Sequence, residues 1–167
     1  MKLKYLSWLP AVIMMGIIFY FSSKPAAVSG ESSLAISQRI VKIYEEATDT
    51  QIEEAKRAEA LDQVDHIVRK TAHFVEYAVL AAAVALHFTL WKRGKGWRLG
   101  VPILITALYA ATDEFHQVFV PGRSGQLSDV ILDSCGAVAG VLFFALFLSI
   151  VGRRWGGKKL IDGAKTV

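Results

Sequence analysis

Hydrophobic positions along the chain fall into four long stretches separated by polar segments. They cover residues of about 5–22, 71–91, 99–120 and 127–151. A membrane-spanning helix needs roughly 20 mainly apolar residues, so each stretch is long enough, the first only just. The fourth contains GAVAGVLFFALFLSIVG, which lacks the polar face that a helix of a soluble bundle carries. The pattern therefore predicts an all-α polytopic membrane protein, a four-transmembrane-helix bundle, forming one domain over residues 1–167.

The first stretch has two interpretations. Lys2 and Lys4 precede it and KPAA follows it, as in a secretory signal. Its apolar core is nevertheless longer than the roughly 7–15 residues usual for such signals. We therefore expect an uncleaved first span.

The connector at about 23–70 is the one long polar segment. Within it, ESSLAISQRIVKIYEEA places Leu34, Ile36, Ile40, Ile43 and Tyr44 at helical spacing. This spacing predicts an extracytoplasmic amphipathic helix lying on the outer membrane face. The charged TQIEEAKRAEALDQVDHIV that follows either continues as a helix into the second span or forms a solvated connector without a chemical role.

Positive charge is concentrated in three segments that a four-span topology places on one side. These are Lys2 and Lys4, the loop WKRGKGWR, and a tail with Arg153, Arg154, Lys158 and Lys159. By the positive-inside rule, we expect both termini and residues 92–98 in the cytoplasm, and the connector and the 119–128 turn outside. The net charge of +4 then reflects topology, and we expect no nucleic-acid partner.

Composition agrees with a membrane protein, because 53% of the residues are hydrophobic and they are clustered. The one cysteine, Cys135, lies within an apolar run. The chain can therefore form no internal disulfide, and it carries no cysteine metal motif.

Polar residues recur just inside the outer ends of three predicted spans. Counting 100° per residue, those sharing a helix face are Arg69, His73 and Glu76; Asp113, His116 and Gln117, flanked by Glu114; and Asp129 and Asp133. At 1.5 Å per residue, an acid from each of the three spans lies roughly 10 Å below the outer surface. A charged side chain facing lipid costs about 2.5–3.5 kcal/mol. We therefore expect these groups to face one another across the bundle.

The spacing of Gly136 and Gly140 supports that arrangement, because a GxxxG pattern lets a neighbouring helix approach closely. It predicts that the face bearing Asp129 and Asp133 points inward. Arg69 and Lys70 lie at an outer helix end, against the positive-inside trend, so topology does not explain them. One alternative is that the polar groups only satisfy one another and hold the helices together. We expect His87 to be structural, and the aromatic residues Tyr77, Trp8, Phe19 and Tyr20 to serve packing.

Three segments carry a family resemblance: IFYFSS (18–23), RKTAHFVEYAVL (69–80) and ATDEFHQVFVPGRSGQLSDVILDSCGAVAG (111–140). With them the chain resembles the VanZ-like family of small bacterial integral membrane proteins. The resemblance implies a four-span bundle in the bacterial cytoplasmic membrane and an association with low-level resistance to teicoplanin-type lipoglycopeptides. It also implies motif residues at Arg69, Lys70, His73, Glu76, Asp113, Glu114, His116, Gln117, Arg123 and Asp129. The family commonly has Asn where this chain has Asp133.

These residues suggest an outward-facing site that binds or acts on an anionic envelope lipid, such as a membrane lipid or a lipid-linked envelope precursor. Arg69, Lys70 and Arg123 would grip a phosphate or carboxylate. His73 or His116 would be the acid/base, held by Glu76 or Asp113. The PGRSGQ turn would present backbone N–H groups to an anion, or is an ordinary Pro-Gly turn. Further candidate ligand-binding residues are Glu114, Gln117, Ser124, Asp129 and Asp133.

Three other functions stay open. His73 and Glu76 could hold a metal, with Glu114 and His116 or Asp113 and His116 of the third span as further ligands. The spacing matches no dedicated motif, so we expect no metal and no cofactor. A proton-coupled transporter would use the intramembrane acids, although the polar groups stop in the outer third. A non-catalytic interaction protein needs only a structural polar cluster.

Overall fold

A computed structural model describes residues 5–164, with the side chains of residue 32 and of 153–164 left out. Its helices are α1 Leu9–Ser22, α2 Ala26–Thr48, α3 Glu54–Leu90, α4 Lys95–Gln117 and α5 Leu127–Ala164. The described range holds no strand, which confirms the all-α prediction. Two predictions on charge fall outside the described residues: those for Lys2 and Lys4, and those for the side chains of Arg153, Arg154, Lys158 and Lys159.

Among the described residues, two helices, α3 and α5, are long and apolar enough to cross a membrane. A third candidate arises only if α1 and α2, which meet at a 103° bend, count as one span. The 14 residues of α1 reach about 21 Å, less than the roughly 30 Å hydrocarbon core, and α4 carries charge at both ends. The chain is therefore a membrane-protein candidate with two to three such helices, and four spans are not confirmed.

The central element is α3, which packs against each of the other four helices. Its 37 residues extend about 55 Å, well beyond the thickness of a bilayer core. The charged first half lies against α2, where Arg57 Nη1 donates to Glu45 Oε1 at 2.8 Å. Of the two interpretations of the charged segment, the structure has the continuous helix into the second predicted span.

The residues of α2 follow the predicted amphipathic pattern. Six apolar side chains are exposed along it: Val28, Leu34, Ile36, Ile40, Ile43 and Tyr44. Ser33, Ser37 and Val41, spaced four residues apart, are buried, and Ser37 Oγ donates to Asp65 Oδ1 of α3 at 3.5 Å. The helix ends at Asp49, whose left-handed φ of 50° is one that aspartate tolerates and that turns the chain back into α3.

Two apolar clusters form the core. One lies between α1, α3 and α4 and is built on Ala11, Ile18, Tyr77, Leu80, Val84, Phe88 and Ala110. The other joins α3 to α5 through the small residues Ala81, Ala85, Ala137 and Val141. There the helices approach so closely that a Cβ on Gly136 would overlap the Phe74 carbonyl, and one on Gly140 the Ala78 carbonyl. This confirms the close approach predicted from the GxxxG spacing.

We expect Gly140→Ala to lower the free energy of unfolding by about 1–3 kcal/mol, because the added methyl has no room beside the Ala78 backbone. Thermal unfolding of the purified protein in detergent measures the effect. Gly152→Ala is the matched control on the same helix, since nothing lies within 4 Å of its Cβ position. Equal midpoints for the two variants would contradict the packing described for α3 and α5.

Candidate functional site

A cavity of about 520 Å³ lies where the end of α1, the start of α2, the middle of α3 and the loop between α4 and α5 meet. Eight of the residues predicted from sequence line it: Arg69, Lys70, His73, Glu76, Gln117, Arg123, Ser124 and Asp129. Apolar side chains, including Phe21, Ile36 and Leu132, complete the wall. The structure thus brings most of the predicted polar residues together around one space.

Two cations of the wall are already paired with carboxylates. Lys70 donates to Asp129 Oδ1 and so connects α3 to α5. Arg69 Nη2 lies 3.1 Å from Asp65 Oδ2, one turn earlier on α3. The Arg69 side chain is still 45% exposed, so part of its guanidinium remains open to a ligand. An anion in the cavity would share these cations with protein carboxylates.

Arg123 fixes the loop to the end of α1. Its Nε donates to the Lys24 carbonyl at 3.0 Å, and its Nη2 donates to the Phe21 carbonyl at 3.1 Å. Its Nη1 donates to Gln117 Oε1 at 3.2 Å. Partial burial lowers the pKa of Arg123, with carboxylates nearby opposing the shift. Arginine stays charged at physiological pH, so the guanidinium ties the loop to backbone carbonyls at and just beyond the end of α1.

The PGRSGQ segment begins as a β-turn. The Arg123 N–H donates to the Val120 carbonyl at 3.1 Å, and Gly122 has a φ of +77°. Proline followed by a residue with positive φ is the pattern of a type II turn, which glycine adopts without strain. The Pro121 carbonyl accepts from the Ala26 N–H at 3.2 Å, which links the turn to the start of α2. The turn therefore places Arg123 and Ser124 at the cavity by ordinary backbone geometry.

Asp113 forms a hydrogen-bonded junction beside the cavity. Its Oδ2 accepts from Ser22 Oγ at 2.7 Å, Tyr77 Oη at 3.1 Å and Gln117 Nε2 at 3.2 Å. The carboxylate is almost fully buried and does not line the cavity. Tyr77, predicted from the sequence to serve packing, is a hydrogen-bond donor in this junction, and the sequence pattern does not predict Ser22 as a site residue. Both lie within the motif segments 18–23 and 69–80, which was the available signal.

His73 has a different partner from the one predicted. Its Nδ1 lies 3.9 Å from Oδ2 of Asp133, which is completely buried on α5. Neither Asp133 oxygen has a hydrogen-bond partner within the described part of the chain. Neither Glu76 nor Asp113 hydrogen-bonds to His73, because the close contact of α3 with α5 places Asp133 behind the imidazole.

Besides Asp113 and Asp133, two further predicted site residues lie outside the cavity wall. His116 points towards α1, with Nε2 3.2 Å from Ser23 Oγ and its ring 4.9 Å from that of Phe19. Glu114 is buried, and its Oε2 accepts from the Gln126 N–H at 2.9 Å just before α5 begins. Asp113 and His116 thus contact neighbouring serines of the α1 end, Ser22 and Ser23, but neither side chain lines the cavity.

Glu76 differs from the other acids of the site. It lines the cavity, and its carboxylate makes no hydrogen bond or ion pair with another described residue.

At the far end of α3, away from the cavity, His87 Nδ1 lies 2.8 Å from Ser7 Oγ and its ring stacks on Trp8 at 4.2 Å. In the described ranges, no three His, Cys, Asp or Glu side chains are grouped as metal ligands.

Comparison with known proteins gives one match. The family model described as VanZ/LLP1 matches residues 7–148. That range includes every residue that lines the cavity, from Phe21 on α1 to Leu132 on α5. Neither the curated proteins nor the solved structures contain a match to the chain.

We expect Tyr77→Phe to lower the free energy of unfolding by about 1–3 kcal/mol, because it removes one donor from the buried Asp113 carboxyl. Chemical unfolding followed by tryptophan fluorescence measures the difference. Tyr44→Phe is the matched control, since that ring is exposed on α2. The junction would be refuted by a Tyr77→Phe variant as stable as the control.

Proposed function

Since the chain belongs to the VanZ/LLP1 family, we propose that its cavity is an outward-facing site for an anionic envelope lipid or lipid-linked envelope precursor. Family membership suggests a cell-envelope protein linked to teicoplanin resistance. The proposal adds a multi-pass topology in the bacterial cytoplasmic membrane, with α1, α3, α4 and α5 as the four spans.

The observation that carries the proposal is the mixed lining of the cavity. Arg69 and Lys70 supply positive charge next to the apolar side chains of Phe21, Ile36 and Leu132. A volume of about 520 Å³ falls within the roughly 300–1,000 Å³ usual for small-ligand sites. Guanidinium and ammonium groups bind phosphate oxygens through charge-assisted hydrogen bonds. A lipid head group presents that chemistry beside an apolar body.

The carboxylate of Glu76 limits which lipid head groups the cavity can bind. The Glu76 carboxylate lines the same cavity as Arg69 and Lys70 but makes no hydrogen bond or ion pair with a described residue, so it would repel a purely anionic ligand that approached it closely. A head group that also carries a hydroxyl or ammonium donor would satisfy Glu76 while its phosphate lies near Arg69. We therefore favour head groups that combine an anionic group with a hydrogen-bond donor.

Chemical action on the ligand is a second candidate function, favoured by the pairing of His73 with Asp133. At 3.9 Å the two groups make no hydrogen bond; a shorter contact in the ligand-bound state would let the Asp133 carboxyl orient the imidazole, as in other acid/base sites. His73 lines the cavity, whereas Asp133 does not, so His73 would meet the ligand and Asp133 would position it. In this second candidate function His73, and not His116, is the acid/base. Asp133 has the orienting role that the sequence suggested for Glu76 or Asp113.

The other two functions have less support. Between Tyr77 and His87, the buried face of α3 is apolar, with Leu80, Ala81, Val84 and Ala85 packed into the core. This filling disfavours a proton path continuing from the cavity. A purely structural cluster explains Asp113, Glu114 and Arg123, whose hydrogen bonds are internal. It does not explain why Glu76 and part of Arg69 remain open.

We expect the cavity and the 92–98 loop to lie on opposite sides of the membrane, with the segments before α1 and after α5 on the side of the loop. Lys95→Cys and Ser124→Cys, each made in a Cys135→Ala background, report the two sides with a membrane-impermeant thiol reagent on intact cells. Ser124→Cys should label without permeabilisation, and Lys95→Cys only after it. Labelling of both from the same side would exclude the topology.

We expect purified protein to bind phosphatidylglycerol in preference to phosphatidylcholine, and Arg69→Gln to weaken that binding about tenfold, or about 1.4 kcal/mol. Native mass spectrometry in lipid nanodiscs measures the bound fraction. Arg93→Gln is the matched control, because Arg93 is exposed near Trp97 at the opposite end of α3.

If Arg69→Gln kept the full preference for phosphatidylglycerol over phosphatidylcholine, Arg69 would have no role in binding the lipid. The mass of the recovered lipid separates the two candidate functions. Binding alone leaves the mass unchanged, whereas a reaction changes it in a way that depends on His73.

A further inference from the structure

A second, smaller groove adjoins the cavity on the side of α3 and α5. It measures about 250 Å³ and is lined by His66, Ile67, Lys70, Thr71, Phe74 and Leu132. His66, Lys70 and Leu132 line both spaces, so the groove begins where the cavity wall ends. Its own residues beyond that boundary, Ile67, Thr71 and Phe74, are mostly apolar.

The apolar wall of the groove is partly exposed, because Ile67, which lines it, is 62% exposed on α3. Lys70 lies at the boundary, with its ammonium directed to Asp129 at the start of α5. A lysine stem packs along apolar surface while its charged end seeks polar groups, which suits a position between the two environments.

The cost of exposing a lipid tail decides which route a ligand can take. If the head group entered the cavity from the aqueous side, its acyl chains would have to leave the bilayer. Each methylene exposed to water costs about 0.8 kcal/mol, so a whole chain would cost far more than the head-group contacts return. An apolar groove that leads sideways from the cavity removes this cost, because the chain stays in apolar surroundings throughout.

We infer that the groove between α3 and α5 binds one acyl chain of the ligand whose anionic head occupies the cavity. This inference rests on the proposed function and adds the sideways route into the site. In this arrangement the cavity holds the head group, Lys70 lies beside the phosphate, and the groove holds the acyl chain. The charged and apolar parts of the protein surface then match the charged and apolar parts of the lipid. Phe74 marks the inner end of the groove, one turn before Ala78.

Photo-crosslinking tests the inference directly. The probe is phosphatidylglycerol with a diazirine in one acyl chain, incorporated into nanodiscs with the full-length protein. We expect crosslinks to map to Ile67, Thr71 and Phe74. Thr71→Trp fills the groove from an exposed position and should lower crosslinking and probe affinity about tenfold, or about 1.4 kcal/mol. Ile67→Trp is a second variant of the same groove.

Thr112→Trp is the matched control, because Thr112 is exposed on α4 and lines neither space. It should crosslink like the unmodified chain. Probe binding could be weakened by Arg69→Gln but unchanged by Thr71→Trp and Ile67→Trp. That result would refute the acyl-chain site in the groove and leave the head-group site in place. Absence of any preference for phosphatidylglycerol in the unmodified chain would instead overturn the proposed function. Crosslinks of the acyl-chain diazirine that map away from Ile67, Thr71 and Phe74 would also overturn the acyl-chain site.

Discussion

The buried carboxylate of Asp113 sets the geometry on which the rest of the site depends. Burying such a group without hydrogen-bond donors costs several kcal/mol, so the fold must supply donors at that depth. It does so from three helices, through Ser22 on α1, Tyr77 on α3 and Gln117 on α4. Gln117 in turn accepts from Arg123, which binds the last carbonyls of α1. One chain of hydrogen bonds thus holds the helix ends around the cavity.

The close contact of α3 with α5 forms the other half of the site. Because Gly136 and Gly140 allow the backbones to touch, Asp133 reaches the back of His73, and Asp129 reaches Lys70. Both acids lie on one face of α5, four residues apart. The same glycine contact therefore determines which carboxylate accompanies the histidine and which one accompanies the lysine. Larger side chains at the two glycines would separate both pairs.

The polar residues divide into those used by the fold and those left for a ligand. Asp113, Glu114 and Arg123 have internal hydrogen bonds, and their removal would first affect stability. His73, Glu76 and part of Arg69 face the cavity with few or no protein partners. A protein that needed polar groups only to hold helices together would have no reason to leave these open. This division is the physical basis for placing ligand chemistry on the α3 wall.

The sequence by itself determined the helical class and the approximate helix limits, because hydrophobic periodicity can be read within each segment. It also indicated that most of the polar candidates lie together, because charged side chains facing lipid are costly. It also identified the close contact at Gly136 and Gly140, because small residues at that spacing have one main use between helices. The tertiary structure alone decided which groups meet. The rotation of α4 turned His116 towards Phe19, and the docking of α5 gave His73 the partner Asp133 rather than Glu76. Such pairings depend on angles between helices, and no single segment encodes these angles.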